Sequence, residues 1–339
     1  MNAIVDAIPF WVVVLIKSAV VLLIVITTFA YSMLAERKVM GWMQLRPGPN
    51  RVGPWGLMQP AADAVKMLFK EDLTPETADP LIYRLAPFIS LICAMGTFAI
   101  IPFSASADGT LWAVGNVNAG ILFVFAIGSV GIYGISLAGW ASGSKFPLLG
   151  SVRSTAQMIS YELSMTMSVI GVLILAGSTA LGDIVNAQLR LWFVIPQLVG
   201  FVIYVITAVA ETNRAPFDLV EAETELVGGF HTEYSGLRFG LFFIAEYLNM
   251  ITVSCLATLL FLGGWNSPIP GLPSGGFIGL GWFIIKAVLF LFFYIWLRST
   301  LPRFRYDRLM AFGLKVLLPA ATLNLILTAV VVAVWPAHA

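Results

Sequence analysis

Eight runs of predominantly apolar residues divide this chain, over 10–33, 81–103, 118–141, 158–178, 191–210, 239–262, 277–297 and 315–335. A helix needs about 20 such residues to cross the ~30 Å hydrocarbon core of a bilayer. The runs are rich in Leu, Ile, Val and Phe and alternate weakly, which argues against a membrane barrel. Helices are then the way to satisfy backbone polar groups in lipid. Composition agrees: 59% of residues are hydrophobic and 11% charged, where soluble domains carry roughly 25% charged residues. The expected fold is all-α and integral to the membrane, a single domain over residues 1–339 with eight transmembrane helices.

The opening MNAIVDAIPFWVVV has neither a basic leader nor a small-residue cleavage site, so the first apolar run is expected to stay in the membrane. A net charge of +1 excludes nucleic-acid binding as a main role. Cys93 and Cys255 both sit in apolar runs and offer neither a disulfide frame nor metal-ligand spacing. No metal site is expected.

Orientation follows from Lys and Arg. Seven of the 19 lie in 34–84, two follow the third run, two follow the fifth, and five surround the last loop. The positive-inside rule puts these four loops in the cytoplasm and both termini on the outer, periplasmic side. Arg190 alone sits in an outer loop, while Lys17 and Lys286 lie inside runs, where each either snorkels to the interface or faces the bundle.

Two cytoplasmic segments are more than connectors. Within 35–80, PGPNRVGPWG (Pro47–Gly56) is turn chemistry. QPAADAVKMLFKED then predicts an amphipathic helix lying along the membrane surface. Ala61, Ala64, Val65 and Leu68 share one face, with Asp63, Lys66 and Lys70 turned away.

The second segment, 211–238, gathers Glu211, Asp218, Glu221, Glu223, Glu225 and Glu233, six of the chain's 18 acids. Clustered carboxylates partly withdrawn from water cannot all ionise and titrate as a set, which suits proton acceptance. The plainer alternative is a solvated acidic loop. Pro216, Gly228 and Gly229, with Phe217, Leu219, Leu226, Val227 and Phe230 interleaved, favour a folded, buried loop. His231 is either a proton donor or simply a satisfied loop histidine.

Glu162 lies about five residues into the fourth run and Glu246 about seven into the sixth, depths of ~7 and ~10 Å at 1.5 Å per residue. An ionisable group at such depth marks a functional site by default. The competing reading is structural pairing with a base such as Arg153 or Arg238. Tyr161, Ser164, Tyr247 and Asn249 are nearby candidates for proton relay.

These residues also carry a family resemblance. AERKVMGWMQLRPGPNRVGPWGLMQPAADAVKMLFKED (35–72), SYELSM (160–165), AETNRAPFDLVEAETELVGGFHTEYSG (210–236) and LPRFRYDRLM (301–310) occur in order. They resemble the signatures of the quinone-proximal membrane subunit of respiratory complex I, the proton-pumping NADH:quinone oxidoreductase. The resemblance covers essentially the whole chain. It implies an eight-span core and a non-autonomous translocase subunit, with a quinone chamber shared with two peripheral-arm subunits. It also implies a carboxylate chain leading toward small and pumping membrane subunits. Quinone, ubiquinone being the expected form, is the substrate, and flavin and iron–sulfur clusters belong to partner subunits. The expected location is a bacterial inner membrane, with the lipid bilayer itself a partner.

A long isoprenoid tail needs an apolar tunnel and its head a few polar contacts. On the resemblance, Arg37, Arg46, Ala64, Lys66, Met67 and Phe230 are the quinone-binding candidates, with 35–80 as the access segment. Glu162, Glu211, Asp218, Glu221, Glu223, Glu225, Glu233 and Glu246 are the proton-transfer candidates. Arg37, Arg46, Arg51, Lys66 and Arg303 also have a simpler reading, as anchors to headgroups or partner acids. Trp42, Trp55, Phe69 and Phe230 are expected to form apolar patches covered by partners. One rival is the related membrane subunit of energy-converting hydrogenases, which serves no quinone; the full 35–72 signature disfavours it. The other is a free-standing secondary transporter, disfavoured by the lack of paired halves.

Overall fold

The structure is a computed structural model that describes residues 9–106, 109–218, 228–269 and 272–334. Among these it is helical, with one isolated β-bridge between Ala105 and Leu111. Seven helices are long and apolar enough to cross a membrane. In chain order the α-helices are α1 (Phe10–Met43), α2 (Gln59–Phe69), α3 (Pro80–Gly96), α4 (Gly120–Ala141), α5 (Lys145–Ala176) and α6 (Leu181–Ala187). They continue with α7 (Leu198–Glu211), α8 (Gly236–Phe261), α9 (Gly276–Thr300), α10 (Tyr306–Phe312) and α11 (Leu318–Val334). A π-helical turn, Gly313–Leu317, joins the last two into one long rod.

The helix at the centre is α8. From Met250 to Phe261 every residue is buried, the all-round burial expected of a core helix. It packs against α3, α9, α1, α2 and α7, while α5 holds α4, α7 and α11. Thr97 and Thr252 share a hydrogen bond of 3.1 Å, tying the end of α3 to mid-α8, a polar contact of the kind that holds helices together in lipid.

Two helices overrun their apolar stretches. The expected first run stops at 33, but α1 continues to Met43. At 1.5 Å per residue its 34 residues span ~51 Å, so its last turns rise out of the ~30 Å core. They carry Glu36, Arg37 and Lys38 as a helical surface and not as a loop. Likewise α5 begins at Lys145, 13 residues before the expected run, so Glu162 sits mid-helix.

The fifth apolar run behaves differently. Its helix, α7, has 14 residues, about 21 Å at the helical rise. Residues 191–197 before it are turns, pinned by the buried Phe193 and Gln197. The Gln197 side chain accepts a hydrogen bond from Asn324 Nδ2 (2.8 Å) and donates one to Thr328 Oγ1 (2.6 Å) on α11. Gln188 Oε1 accepts the Gly263 amide at 2.9 Å, and its Nε2 donates to the Leu259 carbonyl oxygen at 2.7 Å. Such side chains satisfy backbone groups that irregular segments leave unpaired inside a helical bundle.

Lys286, whose orientation the sequence left open, faces the bundle. Its ammonium donates to the carbonyls of Leu262, Gly264 and Asn266 at 2.7, 2.9 and 2.7 Å. These are acceptors at and beyond the end of α8, where positive charge is favoured.

Candidate functional site

A narrow cavity of about 80 Å³ runs along α8 from the α7–α8 loop into the bundle. At the loop end Asp218, Phe230 and His231 line it. Further along come Glu211, Asn213, Glu246 and Asn249, and then Thr97, Thr252 and Gly128. Acidic and amide side chains thus meet a largely apolar channel. Glu211, the last residue of α7, has a buried Oε2 with no hydrogen-bond partner among the described residues, the sort of unsatisfied group that calls for a functional explanation.

Beside the cavity lies a buried charge cluster built from four distant parts of the chain. Arg214 reaches from the loop after α7. Its Nε lies 2.9 Å from Glu246 Oε1 as an ion pair, though not aligned as a hydrogen bond. Its Nη1 is 3.5 Å from Glu36 Oε1 on α1, and its guanidinium lies 4.2 Å from the centre of the Tyr247 ring. Glu36 is 3% exposed; it also accepts hydrogen bonds from Arg298 on α9 and from the Tyr247 hydroxyl, the latter at 2.7 Å. Burial works against the Arg214 charge, but Glu246 and Glu36 outweigh it and hold its pKa above the usual arginine value. The base facing Glu246 is therefore Arg214, where the sequence pointed to Arg153 or Arg238. Arg153 stacks over Tyr306, and Arg238 pairs with Asp72 at 2.9 Å.

Glu162 sits on α5 and accepts a hydrogen bond from Ser129 on α4. Asp218 is buried and pairs with Arg303 at 3.3 Å. Glu233 follows the turn Gly229–His231, and its carbonyl accepts the Tyr83 hydroxyl at 2.7 Å. Glu221, Glu223 and Glu225, like Leu219, Leu226 and Val227, lie outside the described residues.

The turn carrying Phe230 is pressed onto α5 at Gly150. A Cβ there would stand 2.8 Å from Gly229 backbone atoms, so glycine is what lets the loop seat. Phe230 is buried within this chain, edge-on to Phe242 and His231. The expected exposed patch at Phe230 is thus corrected: Trp42, Trp55 and Phe69 are exposed, and Phe230 is not. Burial pulls the His231 pKa down to about 4, against a partial upward pull from Asp218. The imidazole is neutral near pH 7.

The access candidates divide. Arg37 Nη1 donates to Asp63 Oδ2 at 2.7 Å, and Lys66 lies 3.7 Å from Asp63 Oδ1. Asp63 is buried against α1, which corrects its expected outward direction. Ala61, Ala64, Val65 and Leu68 are exposed, and so are Lys66 and Lys70. Met67 turns inward, its sulfur 2.8 Å from where a Cβ at Gly240 would stand. Arg46 stands apart, its Nε donating to Gln44.

Residues 16–329 match the family model described as NADH dehydrogenase. The chain is 50% identical to an H-type subunit of the NADH-quinone oxidoreductase of Symbiobacterium thermophilum, over 96% of this chain and 98% of the relative. It is 51% identical to the corresponding NADH-quinone oxidoreductase subunits of Geobacter metallireducens (93% and 94%) and Rhodospirillum centenum (90% and 89%).

The chain belongs to this family.

As a member it is a membrane subunit of complex I, a component of an oxidoreductase and not a complete enzyme by itself. Sequence reasoning missed three parts of this complex I subunit's site. Glu36 passed unnoticed inside AERKV, because the apolar run ends at 33 while the helix continues to Met43. Arg298 was counted only for topology. Ser129 is an ordinary polar residue of an apolar run, and nothing local marks it as facing Glu162.

Proposed function

We propose that this chain forms one wall of the quinone chamber of complex I and passes the protonation change of quinone reduction into the membrane. The observation that carries the reading is the cavity joining Asp218, His231 and Phe230 to Glu211 and Glu246. Electrons come from flavin and iron–sulfur clusters in the peripheral-arm subunits. Reducing the quinone, with ubiquinone the expected form, to quinol takes up two protons. Carboxylates spaced along one cavity take up or release protons as a coupled set, so a change at the loop end is felt at Glu246 and at Glu162.

In this reading 35–80 is the access segment. The exposed face of α2 with Ala64 lies toward lipid, Arg37 and Lys66 are held by Asp63, and Met67 and Phe230 stand nearer the cavity. Arg46 is the weakest member of the set. Glu221, Glu223 and Glu225 belong with Glu211, Asp218 and Glu233 on the loop side. The bundle makes eight crossings, the fifth completed by the turns 191–197 ahead of α7. Both termini then face the periplasm of a bacterial inner membrane, and small and pumping membrane subunits receive the signal.

Glu246→Gln and Glu162→Gln keep size and hydrogen bonding while deleting the titrating group. In assembled complex they are expected to lower NADH-to-quinone activity and acidification of inverted vesicles by tenfold or more, about 1.4 kcal/mol or above. NADH oxidation by an artificial acceptor at the flavin should survive. Normal vesicle acidification in both variants would overturn the reading.

A further inference from the structure

A second recess lies on the lipid-facing side, remote from the acids. The first half of α1 stands off the bundle: none of residues 11–24 is buried, whereas Val25, Met33 and Leu34 are. The gap is walled by Val21 and Val25 of α1 and by Ile284 and Val288 of α9, with Cys255 of α8 at its floor. Lys17 stands at its rim with Trp112 and Phe277, whose rings meet edge-on at 5.0 Å. Among the described residues Lys17 makes no hydrogen bond and no ion pair.

We propose that this groove holds an acyl chain of an anionic phospholipid, in the leaflet at the amino end of α1, with the lipid phosphate on Lys17. Height argues for a lipid. From Ile16 to Thr28, the extent lined by α1, is ~18 Å at the helical rise, well short of the ~30 Å hydrocarbon core. A partner's transmembrane helix needs a groove of full height, and here α1 closes onto its own bundle below Thr28. Charge argues for an anionic headgroup. Trp11 is 63% exposed at the start of α1, as an interfacial tryptophan is. Lys17 lies six residues deeper, ~9 Å along the axis, so its stem runs along apolar surface while its ammonium reaches up to the headgroups. An ammonium there without a carboxylate partner attracts a phosphate.

The test uses the whole complex reconstituted in vesicles with two photoreactive lipids. Phosphatidylglycerol and phosphatidylcholine carry the same diazirine-bearing acyl chain, and labelled peptides are mapped by mass spectrometry. Peptides spanning 16–28 and 280–291 should take up about fivefold more of the anionic probe, the preference one lysine near an anionic surface supplies. Lys17→Gln should abolish that preference, and Val288→Trp, which fills the groove, should lower labelling by both probes. Retained NADH-to-quinone activity shows that both variants are assembled, since neither position touches the carboxylate cavity. Equal labelling by the two probes in the unmodified complex would overturn the proposal. So would a preference that survives Lys17→Gln, or displacement of the label by a long-tailed quinone but not by unlabelled phosphatidylglycerol.

Discussion

Removing the Arg214 guanidinium leaves Glu36 and Glu246 without the base they share in a buried site. Breaking one side of such a cluster typically costs ~3–5 kcal/mol, so Arg214→Leu is expected to lower the thermal stability of the complex, or its yield on native gels. Arg214→Lys should rescue only partly, because an ammonium replaces one forked, planar contact set with a single point charge. A variant that assembles normally and melts like the parent would argue against the cluster's importance. His231 offers a signed pH test. Its folded pKa lies near 4, below the unfolded value of ~6.5. The unfolded chain therefore binds a proton first, and the stability due to keeping the ring neutral is full above ~6.5 and declines as pH falls toward 4. His231→Gln should flatten that decline. Melting temperatures of parent and variant complex should converge as the pH drops from neutral into the acid range; parallel curves would contradict the burial of this imidazole.

At the scale of elements, the site depends on close approaches more than on helix propensity. Gly150 on α5 seats the turn Gly229–His231, and its would-be Cβ meets backbone, which cannot rotate away. Gly150→Ala should therefore lift Phe230 and His231 from the cavity mouth. An overpacking cost of ~1–3 kcal/mol is typical. The measurable result is reduced quinone-dependent activity relative to flavin-site activity, with a lower melting temperature. Equal loss of both activities would point to failed assembly instead. The same logic holds at Gly313, where a Cβ would stand 3.1 Å from the Tyr161 ring and the π-helical turn makes room for that ring's hydrogen bond to Leu309 at 2.9 Å.

Across the whole molecule, the exposed apolar groups at the loop end of α1, on α2 and in the turn between them set the chain's dependence on partners. Trp42, Trp55, Leu68 and Phe69 are 66%, 83%, 62% and 86% exposed. Patches of this kind mark interaction surfaces or aggregation-prone ones. Expressed without the other subunits, the chain is expected to aggregate in mild detergent, and Trp42→Gln with Phe69→Gln should reduce that aggregation measurably by light scattering. A monodisperse isolated chain transporting ions would contradict its role as a subunit.

The apolar runs by themselves determined the class of fold, because lipid leaves the backbone few alternatives. They also singled out Glu162 and Glu246 as ionisable groups within apolar runs, and the long signatures 35–72 and 210–236 marked the family. What they could not reveal is who pairs with whom. Glu36, Arg214, Glu246 and Arg298 are scattered from one end of the chain to the other, and only helix packing around α8 brings them within ion-pair distance. The direction of Asp63 failed for a related reason: periodicity identifies the faces of a helix, but Arg37 on a neighbouring helix draws this one acid inward while Lys66 and Lys70 of the same face stay exposed. Helix ends at Met43 and Lys145 escaped the hydropathy reading because backbone hydrogen bonds continue past the point where side chains stop being apolar.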